Sequence, residues 1–244
     1  DLDEMARLYG PGPAVQVEIP NGFAPDEVDF VAASGRMAVK RRLGLAGRPT
    51  ALFVGSWHDP NIAAIRDIIA FAAALPDVVF LIVGSAGRYF SDRPVPANVR
   101  LLGALDEAEK RAALAAADLA LNPMSSGSGS NLKMFEYFAA GIPVLTTPFG
   151  LRGMDGELRA AAMLAEIDQF VEKIVAFFVE MDDDARDELV RRARALVAKA
   201  HAWPVIAARG LAAIEDRLAE GAPAVSHPDA PAGTRDQAVA GLAT

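Results

Sequence analysis

The sequence contains no cysteine. That excludes disulfides, thiolate nucleophiles and cysteine-ligated zinc or iron–sulfur centres. Histidine is scarce: His58, His201 and His227 stand far apart along the chain, so no histidine metal site is expected and the metal set is empty. Positive charge is also in deficit, with 24 Lys and Arg against 32 Asp and Glu and a formal charge of −8. A nucleic-acid footprint has the opposite sign, so nucleic acid is not an expected partner. No apolar run reaches the length of a membrane span. The longest, at residues 68–75 and 78–83, fit a buried helix and a buried strand. The first nine residues carry acids and no apolar segment, unlike a secretory signal. Two phosphate-binding patterns are missing as well. GxxxxGK[ST] does not occur, and Gly127 and Gly129 follow a late strand instead of opening the first βα turn, as the GxGxxG fingerprint requires.

What is present is a large apolar share: 52% of 244 residues are hydrophobic and 23% charged, which rules out global disorder and suffices for a substantial core. Short apolar runs at 51–54, 78–83, 99–102, 119–121, 144–146 and 162–164 read as strands. A further extended run at 15–19 leads into a tight turn at Pro20-Asn21-Gly22. Helical spacing occupies 37–43, 61–75, 106–117 and 131–140, then 169–180, 184–199 and 204–220. The βαβ alternation predicts an α/β fold, a Rossmann-like parallel sheet covered on both faces by helices. The expected organisation is a linker over 1–13, one domain over 14–220 and a Pro/Ala/Gly-rich tail over 221–244. Opening on Asp1, the chain reads as part of a longer protein.

In such sheets, ligands bind beyond the carboxyl ends of the strands. Glycine or small polar residues recur there: Gly55-Ser56, Gly84-Ser85, Gly103, residues 124–130 and Thr146-Thr147. The most informative stretch runs from Asn122 to Glu136. A strand ends, a loop of small residues turns, and a helix begins with Ser130 as a candidate N-cap. Small residues let backbone N–H groups approach an anion, and Lys133 adds charge in the first helical turn. Lys133 and Glu136 are three apart, hence on one face: a base for diphosphate beside an acid for ribose or sugar hydroxyls, or else an ordinary surface ion pair. Asp59 reads as a helix cap. His58 is either a phosphate or domain contact or a structural turn residue. Asn131 either touches the ligand or shapes the helix start.

The block from Gly127 to Gly150, GSGSNLKMFEYFAAGIPVLTTPFG, resembles the donor-binding signature of retaining GT-B glycosyltransferases of family 4. Further likenesses follow in family order: Ile19-Pro20-Asn21-Gly22 at the entry to the C-terminal domain, Phe53-Val54-Gly55-Ser56 at the first strand, FLIVGSA over 80–86, NVRLLGAL over 98–105, and the start of a closing helix at 201–203. The resemblance covers residues 14–218.

It implies a GT-B C-terminal domain that binds a nucleotide-diphosphate sugar as substrate, without a cofactor. The implied donor-binding set is Gly55, Ser56, His58, Gly84, Leu102, Gly127, Ser128, Gly129, Ser130, Asn131, Lys133 and Glu136. Glu136 matches the second acid of the family's E-x7-E pattern, which meets the ribose; the first falls at Ser128. Residues 127–133 match a GxGxxxK variant of that loop. The turn after Gly55, where the family often carries Arg and Lys, reads Ser56-Trp57-His58-Asp59-Pro60-Asn61, leaving more of the phosphate neutralisation to Lys133. The implied activity is retaining sugar transfer, with acceptor-side catalytic residues supplied by an N-terminal domain and the isolated chain inactive. The same resemblance implies a cytoplasmic protein, at the inner face of the membrane if the longer protein associates peripherally, working in cell-envelope polysaccharide, glycolipid or protein-linked glycan synthesis. The alternatives are a non-catalytic nucleotide-binding or protein-interaction module and a sugar-nucleotide epimerase of the same architecture.

Overall fold

The computed structural model describes residues 2–10, 17, 19–154 and 156–221. The contacts divide the chain into residues 19–209 and a second unit made of 1–18 and 210–244. In the second unit, helix α1 (Leu2–Tyr9) carries a surface ion pair between Arg7 and Glu4. In the first unit α2 (Ala33–Arg42) precedes β1 (Thr50–Val54), α3 (Asp59–Ala74), β2 (Val79–Val83), β3 (Val99–Gly103), α4 (Glu107–Ala116) and β4 (Leu119–Asn122). Then follow α5 (Lys133–Ala139), β5 (Val144–Thr146), α6 (Gly156–Arg159), β6 (Met163–Leu164), α7 (Phe170–Glu180) and α8 (Asp183–His201). Helix α9 (Trp203–Gly221) begins in the first unit and ends in the second.

All six strands are parallel, in the order β3-β2-β1-β4-β5-β6. This is the doubly wound arrangement, which reverses direction between β1 and β4. Alternation along each strand divides the core into two layers. Leu52, Leu81, Ala120 and Val144 face α4, α5 and α8, where Leu114, Phe135, Phe138 and Val197 are buried. Phe53, Phe80, Ile82, Leu121 and Leu145 face α3 and α7, with Ile65, Ile68, Phe71, Phe170 and Ile174. Phe71 and Phe170 stack at 5.2 Å between centroids. β2 is buried along its whole length, as a continuous apolar run in a central parallel strand should be.

Local chemistry explains the element ends. Pro60 sits in the first turn of α3, where its missing N–H costs nothing. Asp106 and Glu109 close a capping box on α4, with bonds of 2.8 and 3.1 Å. Asp182 caps α8 through the Ala185 N–H. Three expectations are corrected. Asp59 is the first residue of α3 and not its cap; His58 takes the cap position without a side-chain bond. Ser130 does not cap α5, which starts at Lys133 behind Leu132, already helical, because an Asn131 side chain drawn inward shapes the preceding turn. The helix expected at 37–43 begins at Ala33, where the buried Arg36 pins its first turn. Of the strand expected at 15–19, only Val17 and Ile19 are described, and neither is in a strand. Phe23 instead bridges to Ala202, with Phe23 N–H bonded to the His201 carbonyl at 2.9 Å. The tail beyond residue 221 lies outside the described residues.

Candidate functional site

β1 and β4 pair only at Ala51↔Leu119 and Leu52↔Ala120. Beyond that register the strands part, and the parting opens a crevice at the point where the sheet reverses. The divergence leaves the Val54 N–H without a ladder partner. The phenolic oxygen of Tyr137, fully buried on α5, accepts it at 2.7 Å. Burial pushes the Tyr137 pKa up, so the hydroxyl stays protonated.

The crevice is a pocket of about 600 Å³, within the range of small-molecule sites. It is lined by Gly55, Ser56, His58, Gly127, Ser128, Ser130, Asn131, Lys133 and Glu136 from the expected set, and by Pro60, Asn61, Lys110, Met124, Leu132 and Arg152. Three expected residues fall elsewhere. Gly84 ends β2 behind the crevice: its φ is +104°, and a Cβ there would overlap the Gly55 carbonyl, so its task is to let two strand ends approach. Gly129 lies on the loop, outside the pocket lining. Leu102 lies on β3, the edge strand two places from the crevice, and lines an apolar cavity of about 490 Å³ with Leu43, Leu45 and Leu105.

The loop is held from below by a buried amide network. Asn122 donates to Thr146 Oγ1 at 2.9 Å and to the Gly150 carbonyl at 3.3 Å. Asn131 donates to Asn122 Oδ1 at 3.2 Å and to the same carbonyl at 3.1 Å. Asn131 thus ties the loop to the strand ends while also lining the pocket. Thr146 and Thr147 are buried and bonded to backbone carbonyls, so neither offers a free hydroxyl. Gly127 and Gly129, at φ +125° and +69°, give the loop turns that other residues resist.

Lys133 reaches under this loop. Its ammonium donates to Asn61 Oδ1 at 2.8 Å and lies 4.1 Å from the centroid of the Phe53 ring. No carboxylate pairs with it among the described residues. Burial, and secondarily the charge of Arg152, lowers its pKa to about 7. Glu136 does not pair with Lys133; it meets Lys110 of α4 at 2.8 Å, both side chains about one quarter exposed. The i,i+3 ion pair is therefore corrected: Lys133 turns down toward Phe53 and Asn61, leaving Glu136 to a lysine from another helix. His58 is exposed at the rim. Trp57 is also exposed, touching Tyr89 edge-on at 6.3 Å.

Sequence reasoning missed Lys110, Asn61 and Arg152. No local motif marks them, because each arrives from a separate element. Among the described residues no three His, Asp or Glu side chains gather as a metal site, and no helix is long and apolar enough to cross a membrane.

With the crevice in place, the comparisons decide the family. Residues 62–212 match the family model described as glycosyl transferase-like. The chain belongs to that family. A phosphatidyl-myo-inositol mannosyltransferase of Mycobacterium tuberculosis H37Rv is 32% identical over 143 residues, which is 54% of this chain and 34% of that protein. The chain spans 34–58% of the length of the curated relatives it matches. Sucrose-phosphate synthase from Thermosynechococcus elongatus superposes with a TM-score of 0.68 at 20% identity, over 90% of this chain and 57% of that one. Anabaena HepE, solved with UDP-glucose, gives 0.63 at 17% identity, over 81% and 57%. The architecture is that of a Rossmann-like GT-B domain, the sheet and helix layers described above.

Proposed function

We propose that this glycosyltransferase domain is the donor-binding half of a retaining, family 4 GT-B enzyme. It holds a nucleotide-diphosphate sugar in the crevice between β1 and β4. Lys133 neutralises the diphosphate, Glu136 and Lys110 stand where ribose hydroxyls would be held, and the Gly–Ser loop covers the phosphates. The leaving diphosphate would be stabilised electrostatically as the acceptor attacks. The acceptor pocket and the remaining catalytic groups would come from an N-terminal domain of a longer protein, in keeping with the limited span of the relatives. Peripheral attachment of that longer protein to the inner face of the membrane belongs to the same reading, as does a lipid-linked or polysaccharide acceptor. The mannosyltransferase relative supports a sugar-transfer role.

The observation that carries the reading is Lys133: a lysine ammonium with no carboxylate partner among the described residues, lining a pocket of about 600 Å³ at the switch point of a doubly wound sheet. A non-catalytic nucleotide-binding module is the second reading, favoured by Ser128 standing where the family's first acid falls. Calorimetric titration of the chain with UDP, GDP, UDP-glucose and GDP-mannose tests the proposal. Binding of one base class at micromolar to millimolar affinity is expected, without sugar transfer by this chain alone. No heat with any of the four would sink it. Transfer by the longer protein separates the enzyme from the silent module.

A further inference from the structure

Arg152 lies in the turn after β5, apart from the residues that first marked the site. Its guanidinium reaches across to the Gly–Ser loop. Nε donates to the Gly129 carbonyl at 2.8 Å and Nη2 to the Ser128 carbonyl at 3.2 Å, while the group stacks on the Phe149 ring at 4.6 Å. Nη1 is buried without a partner. A fork that leaves one donor buried and unsatisfied is not the arrangement that best stabilises an empty loop.

Among the described residues all peptides are trans. A trans peptide puts its C=O and N–H on opposite sides. Drawing the Ser128 and Gly129 carbonyls onto Arg152 therefore turns the N–H groups of Gly129 and Ser130 the other way. Neither N–H has an acceptor among the described residues. The clasp thus fixes the position of the loop and leaves the guanidinium, not these N–H groups, beside Lys133 in the pocket lining. Arg152 and Lys133 line the same pocket, and no carboxylate pairs with either among the described residues. Two such cations side by side repel until an anion joins them.

We propose that Arg152 is a positioning residue for the diphosphate of the donor: it clasps the Ser128 and Gly129 carbonyls and so fixes the Gly–Ser loop at the pocket, and it adds a second positive charge beside Lys133. This deepens the donor-binding reading and rests on it. It also accounts for the turn after β1, where Ser56, Trp57 and His58 offer no fixed cation. The charge comes instead from the far side of the pocket, after β5.

The test uses the chain itself with four probes: UDP, GDP, inorganic pyrophosphate and the nucleoside of whichever base binds. Arg152→Met should weaken the nucleoside diphosphate and pyrophosphate by thirtyfold or more, and the nucleoside by less than twofold. Arg152→Lys keeps the charge but loses the fork, and should fall between Met and wild type. If the Met variant does not fold, Arg152→Lys and Arg152→Gln carry the test, with thermal melting as the control. Equal losses for nucleoside and diphosphate would reduce Arg152 to a structural tie and overturn the proposal, as would unchanged diphosphate affinity. Wild-type protein that binds no nucleotide defeats the donor-binding reading and this role with it. Wild-type protein that binds UDP or GDP with no response to Arg152 defeats only this one.

Discussion

The two ends of the sheet treat positive charge in opposite ways. At the amino ends of the strands, Arg36 is buried and its guanidinium donates to the carbonyls of Val31, Leu114, Ala117, Ala140 and Gly141. Lys40 beside it pairs with Asp118, which also accepts the Thr50 N–H at 2.8 Å. The starts of β1 and β4 and the turn before β5 are tied through these groups. At the carboxyl ends, Lys133 has one amide oxygen, the Met124 thioether at 3.9 Å and a ring face, and Arg152 has two loop carbonyls. Burial lowers the Arg36 pKa only to about 10, with Asp118 and Asp187 opposing, whereas Lys133 is brought to about 7 by burial and a second cation. A buried cation with its donors met is architecture. One left short of acceptors, facing a cavity, is waiting for a charge that the protein does not supply.

The largest expected effect separates the two ends directly. Arg36→Met removes the guanidinium that bonds the buried carbonyls of Leu114, Ala117, Ala140 and Gly141 and should cost about 3–5 kcal/mol, the scale for breaking a buried charged network. For a chain of this size that is a fall in melting temperature of roughly 6–20 °C. Calorimetric melting checks it, and nucleotide affinity of the folded fraction should not change. Lys133→Met reverses the pattern. Loss of a charge-assisted contact should weaken UDP or GDP by about a hundredfold, near 2–3 kcal/mol. The same variant should melt higher than wild type at pH 6, because it removes a desolvated charge. A fall in both affinity and melting temperature would make Lys133 a structural residue like Arg36 and erase the contrast.

Much of this was legible in the residues, for identifiable reasons. Continuous apolar runs such as 78–83 have few fates besides a central strand, and the Gly–Ser loop before Lys133 announced the crevice end of β4. Partners across the fold were not legible. Lys133 and Glu136 at i,i+3 suggested a pair, but side-chain direction sends one to Asn61 of α3 and the other to Lys110 of α4. Asn122, Tyr137 and Arg152 matter because β1 and β4 diverge, and that divergence depends on strand order, which local spacing does not encode. Ser130 and Asp59 have the chemistry of caps. A cap, however, is set by where the preceding turn ends, and Asn131 moves that point through its bonds to Asn122 and Gly150.

A smaller effect follows from acidity. In the free protein Lys133 has a folded pKa of about 7, below its unfolded value of 10.5. The unfolded chain therefore binds more protons between those values, and this residue's contribution to stability rises with pH across that window. A bound diphosphate draws the proton back, so the complex stays charged where the free protein does not. Affinity should hold below pH 7 and fall between pH 7 and 9, by up to about tenfold per unit. Titrations at pH 7, 8 and 9 read this slope, and the Lys133→Met variant should flatten it. A slope that survives in that variant would assign the titration to another group.

The smallest effect belongs to Glu136, whose pair with Lys110 is neither as buried as the Lys40–Asp118 pair nor left open like Lys133. Partly exposed pairs contribute about 0–1 kcal/mol, so Glu136→Gln should shift the melting temperature by no more than roughly 4 °C. Its effect on binding should depend on the ligand. If the carboxylate accepts ribose hydroxyls, the variant, which keeps an amide oxygen as acceptor, loses about five- to tenfold on UDP or GDP, within the range of one ordinary hydrogen bond. Pyrophosphate, which has no hydroxyls, should bind to it as it does to wild type. The two substitutions Arg152→Met and Glu136→Gln then divide the ligand between them, one sensing phosphate and the other sugar. Equal sensitivity of pyrophosphate to both would mean that Glu136 acts only by holding Lys110, and the ribose assignment would be lost.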